Sequence, residues 1–194
     1  MTVNKFADMS ASEYKKMLNP KLRNKRSTTH STLKLSETNV QANPTSLDWR
    51  NLNGTSYVNP VKDQGQCGSC WAFAAVGSLE SIYAINFNDT LFSLSEQELV
   101  SCATGDWGNN GCGGGENYLA FNYTIYNGLR NETDYPYTAK DSNCSNTNAT
   151  EPALLNGTVT NYTNVVANKS IELITAVHTK GPIAVSIEAD TIPF

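Results

Sequence analysis

The order of patterns along this chain predicts an α+β fold, with helical periodicities first and a β-like run arriving late. Capped apolar segments at 69–85, 95–102, 117–127 and 170–180 carry the period of a helix. The run IAVSI, 183–187, is apolar and β-branched, as a buried strand would be. Between these lie stretches too rich in Gly, Asn and Pro for regular structure, so the pattern is not a βαβ alternation.

Taken in order, SASEYKKML (10–18) reads as a short helix. Ser10 is its N-cap, Glu13 sits at N3, Tyr14, Met17 and Leu18 share a face, and Asn19-Pro20 stops it. Residues 21–43 are polar without a period, an extended linker in which KLRNKR is open to proteolysis. The body begins near Pro44. Ser69 is placed to cap a helix whose apolar face is Phe73, Val76, Leu79, Ile82 and Tyr83. Ala72, Ala74 and Ala75 allow close approach on its other sides, so this helix is expected to be buried. S-E-Q-E from Ser95 is a capping box opening a helix that ends near Cys102. TGDWGNNGCGGGE (104–116) is a glycine-rich loop. The next helix carries Tyr118, Phe121 and Ile125 as its stripe, and Asn127-Gly128 ends it. Residues 131–156 read as loop. Ser170 is placed to cap IELITAVHTK, which Gly181 closes and Pro182 blocks.

The 194 residues suffice for a sizeable core. The net charge of −4 conceals a split. Residues 1–43 hold eight Lys/Arg and three acids, whereas the rest hold six and fifteen, a basic leader on an acidic body. An acidic body with no basic stripe argues against nucleic-acid binding. No run reaches the ~18 apolar residues of a membrane span, and MTVNKFADMS has no apolar signal-peptide core. Nine N-x-S/T sequons, from Asn53 to Asn168, suit a secretory glycoprotein, although so Asn- and Thr-rich a chain forms sequons by chance. Five cysteines in an oxidising compartment imply two bridges and one remaining thiol, with fifteen possible patterns.

Two of these cysteines, Cys67 and Cys70, form a C-x-x-C in QGQCGSCWAF. A zinc site would need a second close pair, and Cys102, Cys112 and Cys144 form none, so no metal is expected. A thioredoxin-like couple would follow a strand, and the preceding GTSYVNPVKDQGQ is turn-rich. A third reading separates the two residues. Cys70 lies in the first turn of a helix, where unpaired N–H groups and the helix dipole favour a thiolate nucleophile. Its backbone N–H and the nearby Gln64 amide could then receive an oxyanion. By residue type alone, a buried cysteine beside a surface glutamine is simpler.

C-G-S-C-W, however, resembles the signature of the papain/cathepsin cysteine peptidases, and particularly the cathepsin L group. SLDWR (46–50), NPVKDQGQCGSCWAF (59–73), SLSEQELVSC (93–102), GCGGG (111–115), YPY (135–137) and GPIAVSI (181–187) resemble family segments in family order, and NKFADMS (4–10) resembles the end of its inhibitory propeptide. The resemblance implies a papain-like fold, with a complete helical left domain and a β-rich right domain only begun. It implies residues 1–18 as a propeptide remnant, 19–43 as a linker, and 44–194 as an incomplete catalytic domain (helical about 50–155, β-rich from about 156). It also implies bridges Cys67–Cys112 and Cys102–Cys144, Cys70 as nucleophile, and Gln64 as oxyanion donor. Gly114 and Gly115 would meet substrate backbone, with Gly68 near the leaving-side cleft. Glu116, Asn117 and Ser186 would line the pocket for the side chain two places before the scissile bond, where the family is commonly apolar.

The implied partners are protein or peptide substrates and the chain's own propeptide, with no cofactor, in a lysosomal, vacuolar or secreted setting. The family places its His and Asn about 130–150 residues past the cysteine. His178 is only 108 past it, on a predicted helix, and His30 lies in the linker, so neither is expected to be catalytic. The chain is therefore expected to be a piece of a longer product, with Met1 internal to it and inactive alone. The other readings are a catalytically dead binding protein and, less favoured, a C-x-x-C thiol oxidoreductase.

Overall fold

A computed structural model describes residues 9–10, 12–13, 17, 43–87, 91–145 and 152–187. Among the described residues, four α-helices organise the body: α1 (Cys70–Asn86), α2 (Glu96–Cys102), α3 (Asn117–Asn127) and α4 (Ser170–Lys180). Two short 3-10 turns, Gly105–Trp107 and Gly111–Gly113, shape the loop between α2 and α3. α1 packs against both α3 and α2.

The core gathers around α1. Trp71, Ala72, Ala75, Val76 and Leu79 meet Leu99 and Val100 of α2, Ala120 and Tyr123 of α3, and Leu94, Leu129 and Leu154 from the loops. Ser78, Glu80 and Ser81 are buried too, so α1 is enclosed on nearly every side. Its expected apolar face is shared out: Val76 and Leu79 are core, Phe73 and Tyr83 are half-buried, and Ile82 is exposed. Alanines let the neighbouring helices approach, so the small face became the buried one.

The caps show how local rules meet tertiary demands. Ser10 and Glu13 form the reciprocal box, with Glu13 N–H to Ser10 Oγ at 3.3 Å and Ser10 N–H to Glu13 Oε2 at 2.8 Å. Ser95 Oγ accepts from Glu98 N–H at 2.9 Å. Glu98 does not reach back, because its carboxylate binds Arg130 N–H (2.8 Å), the Arg130 guanidinium (2.8 Å) and Tyr123 hydroxyl (3.1 Å). Ser69 precedes α1 without a side-chain cap bond, its hydroxyl being engaged elsewhere. α4 begins at Ser170 itself, with Lys169 in the cap position, which corrects Ser170 as the cap.

On α3 the buried residues are Ala120, Tyr123 and Thr124, not the expected stripe of Tyr118, Phe121 and Ile125. The smaller Ala120 faces the core, while Tyr118 and Phe121 lie against Tyr162, with ring centroids at 6.3 and 5.8 Å. Gly128 (φ 71°) and Gly181 (φ 113°) end α3 and α4 in backbone regions that favour glycine.

The expected buried strand at 183–187 is corrected. Those residues join no ladder, and Val185 and Ile187 are 56% and 68% exposed. A strand gains hydrogen bonds only from a neighbour, and among the described residues the bridges are isolated, such as Leu94–Asn131 and Leu129–Leu154. α4 is tied to the body by Trp49 Nε1–H to Val177 O (3.0 Å) and Asn43 Nδ2–H to Thr175 Oγ1 (3.0 Å).

Candidate active site

Residues 63–70 form a tight turn entering α1, and three kinds of restraint hold it. Gly65 takes φ 59°, a left-handed position. Gly68 N–H donates to Cys112 O at 3.0 Å, and a Cβ on Gly68 would stand 2.5 Å from that oxygen. A disulfide joins Cys67 to Cys112 with Cα atoms 4.6 Å apart, and a second joins Cys102 to Cys144 at 4.7 Å. Sequence separations of 45 and 42 make each bridge worth about 4 kcal/mol on the chain-entropy model. Cys70 keeps its thiol and is half-buried as the first residue of α1.

The Gln64 amide lies beside this turn. Its Nε2 donates to Cys67 O at 2.9 Å and to the backbone oxygen of Met17 at 3.2 Å. Met17 is buried. A donor expected to receive a carbonyl oxygen thus already receives one, from the leader.

The glycine loop packs against the same turn. Trp71 Nε1–H donates to Gly111 O at 3.1 Å, and Cys112 N–H to Asp141 Oδ1 at 2.7 Å. Gly114 is buried with φ 104°. A Cβ on Gly115 would stand 2.8 Å from the Trp71 ring and 2.3 Å from Asn109 Oδ1, so packing behind the loop itself demands glycine. Glu116 and Asn117 follow at the start of α3, partly exposed, on the wall of a groove of roughly 1120 Å³ that runs along α1 and α4 and that Cys70, Gln64, Gly68, Gly114 and Gly115 do not line. Ser186 is exposed and does not line this groove. His178, on α4, has its Nδ1 buried without a hydrogen-bond partner and does not line it either. His30 lies outside the described residues. Among the described residues, no cluster of His, Cys, Asp and Glu could hold a metal ion, and no helix is long and apolar enough to cross a membrane.

Two features escaped the sequence reading. The first is a buried charge cluster two residues before Gln64. Lys62 Nζ meets Glu96 at 2.7 Å and Glu80 at 2.9 Å, both carboxylates being 2% exposed. Glu80 also accepts Leu94 N–H at 2.8 Å. Burial pulls the Lys62 ammonium down, but the two carboxylates outweigh it and leave its pKa raised. Burial pushes Glu96 up to about 7 against the pull of Lys62. Glu132, also pushed up by burial, lies against Glu96, and its Oε2 receives no donor. Touching carboxyls facing one ammonium are satisfied when one keeps its proton. Nothing in S-E-Q-E signals that all of α2 is buried.

The second is Tyr137. Its hydroxyl lies 2.7 Å from Gln64 O and 2.6 Å from Ser69 Oγ. A carbonyl only accepts, so the phenol donates to Gln64 and accepts from Ser69. Burial pushes this phenol's pKa up, keeping the proton in place. Its membership of YPY was the only sequence signal.

The family model described as papain family cysteine protease matches residues 43–194. A cathepsin L-like proteinase of Fasciola hepatica is 39% identical over 190 residues, covering 97% of this chain and 55% of that protein. Digestive cysteine proteinase 3 of Homarus americanus is 38% identical over 197 residues, covering 100% and 57%. A recombinant stem bromelain precursor superposes with a TM-score of 0.76 at 31% identity, over 92% of this chain and 53% of that one. The chain therefore spans about half the length of the relatives it matches, and its arrangement is a partial papain fold.

Proposed function

Because this chain belongs to the papain family of cysteine proteases, we propose that it is the cysteine-bearing part of an endopeptidase precursor. The observation that carries this reading is the turn itself: a thiol in the first turn of a buried helix, three residues past the carbonyl that the Gln64 amide binds, on a loop fastened by Cys67–Cys112. The Cys70 thiolate attacks the peptide carbonyl carbon. Gln64 Nε2–H and the Cys70 N–H receive the oxyanion. A histidine takes the thiol proton and returns it to the departing amine, oriented by an asparagine. His178 and His30 are not assigned that role. The partners are supplied by residues outside these 194, and the chain by itself is inactive.

Residues 1–18 act as the remnant of an inhibitory leader and 19–43 as its linker, ahead of the catalytic domain from 44. The Met17 carbonyl on Gln64 supports this, since a leader carbonyl holds the donor that a substrate would need. Gly114 and Gly115 bind substrate backbone, and Gly68 borders the leaving-side cleft. Glu116 and Asn117 face the side chain two places before the cut, and Ser186, which does not line their groove in this chain, forms another wall in the full-length product. The product works in a lysosome or vacuole, or outside the cell. Its substrates are proteins and peptides.

The test compares the full-length activated product with the 194-residue chain on a fluorogenic peptide. Turnover by the former alone is expected. Turnover by the 194-residue chain that vanishes in Cys70→Ala would overturn its inactivity.

An acid in the specificity pocket favours a basic side chain there. Glu116→Leu in the full-length product is expected to shift the preference between arginine and leucine at that substrate position by ~10-fold or more toward leucine. A library profile identical to wild type would place Glu116 in solvent.

A further inference from the structure

The chemistry proposed above makes no use of the Tyr137 phenol, yet that single oxygen touches both ends of the catalytic turn. Tyr137 belongs to a loop some seventy residues downstream, so nothing local brings it there. Its place is fixed on two sides. The Phe73 ring stands edge-on to it, with centroids 4.9 Å apart and planes at 86°. Its backbone N–H donates to Glu132 Oε1 at 2.7 Å. From that anchored position the hydroxyl donates to the Gln64 carbonyl, while the Ser69 hydroxyl donates to it.

Both tethered residues matter to the reacting thiol. Gln64 carries the amide that faces the turn, and Ser69 immediately precedes Cys70. The Ser69 carbonyl also accepts from Ala72 N–H at 2.8 Å and Phe73 N–H at 3.2 Å, which starts α1. The disulfide at Cys67 and the Gly68–Cys112 hydrogen bond pin the middle of the turn but not its ends. The ends set where the Gln64 amide stands relative to the Cys70 N–H.

We propose that Tyr137 is a positioning residue of the peptidase: its hydroxyl bridges Gln64 and Ser69 and so holds the two oxyanion donors in register. This rests on the peptidase reading above. An oxyanion site needs its donors placed before reaction, and a small misplacement of one costs most of what that donor contributes. Tyr137 touches no substrate in this scheme, and it acts through Gln64.

The test uses the full-length activated product and a double-mutant cycle. Tyr137→Phe keeps the ring against Phe73 and removes only the hydroxyl. It is expected to lower kcat ~10- to 100-fold with KM changed less than ~3-fold. Binding of a peptide aldehyde, whose thiol adduct carries an oxyanion-like oxygen, is expected to weaken by the same factor. In a Gln64→Ala background the effect of Tyr137→Phe is expected to shrink below ~3-fold, because the donor it positions is gone. Ser69→Ala cuts one half of the bridge and leaves the Tyr137–Gln64 bond intact, so it is expected to lower kcat measurably, but by less than Tyr137→Phe. Full additivity of Tyr137→Phe with Gln64→Ala would overturn the proposal. So would a lowered melting temperature with kcat unchanged, or Ser69→Ala costing more than Tyr137→Phe. Absence of Cys70-dependent turnover in the wild-type product is a different outcome, which overturns the peptidase reading and this role with it.

Discussion

Replacing Cys70 by alanine in the full-length product is expected to lower kcat by ~10⁴-fold or more, with the folded state unchanged. The size follows from the chemistry. Without the sulfur no acyl-enzyme forms, and water must attack the peptide directly. What remains is binding and the oxyanion donors, which in other nucleophilic hydrolases leave only a small residue of the rate. Cys70 is half-buried at the head of α1 and outside both disulfides, so removing one sulfur disturbs neither bridge. The measurement is steady-state hydrolysis of a fluorogenic peptide, with circular dichroism as the folding control. A variant retaining more than ~1% of wild-type kcat would show that another group is the nucleophile. Cys67→Ala is expected to behave differently, losing stability by roughly 2–5 kcal/mol through the lost bridge.

The second large effect is structural. Lys62→Met is expected to destabilise the full-length product by about 3–5 kcal/mol near neutral pH. It leaves Glu80 and Glu96, each 2% exposed, without the ammonium that now lies 2.9 and 2.7 Å away. Their remaining donors are few. Glu80 keeps the Leu94 N–H, and Glu96 keeps its own backbone N–H. Burial of this kind is tolerated only while the charges are paired or one of them is neutralised.

The same cluster sets a pH dependence whose sign is opposite to that of ordinary carboxylates. Burial holds Glu96 at about 7 in the folded chain, against 4.5 as its ordinary value. Between those values the folded state binds more protons than the unfolded one. Its contribution to stability is complete below the unfolded value, shrinks as pH rises, and is lost once pH passes the folded value. The span corresponds to a contribution on the order of 3 kcal/mol. Burial also pushes Glu98 and Glu132 up, in the same direction. Urea unfolding followed by tryptophan fluorescence is therefore expected to show greater stability at about pH 5 than at about pH 7.5. Glu96→Gln is expected to flatten much of that slope. A wild type more stable at the higher pH would contradict the assignment. The Lys62→Met penalty is expected to be smaller at the acid end, where carboxyls regain protons.

How far a reading from residues reaches is seen at particular positions. The Ser10–Glu13 box and the glycines closing α3 and α4 are local devices, and they act as written. Ser95 caps α2 as its spacing predicts, but Glu98 abandons the reciprocal bond for Arg130, which lies thirty-two residues away. Periodicity placed α1 and α3 within a residue or so, yet mis-stated the buried side of α3. Ala120 rather than Phe121 faces α1 because close approach between helices rewards small residues, which no one-dimensional stripe records. IAVSI has a strand's composition without a ladder, because pairing belongs to two segments and not one.

The sequence by itself determined the family, the cysteine and glutamine of the candidate site, the glycine loop and the start and stop of the helices. Each is written in residues a few positions apart, where side-chain chemistry and backbone preference act directly. The tertiary structure alone decided that α2 is buried with its charges, that Lys62 gathers Glu80 and Glu96, that a leader carbonyl rests on Gln64, and that Tyr137 ties Gln64 to Ser69. Those outcomes depend on which distant segments exclude water from one another, and burial is a property of the packed whole and not of any short stretch.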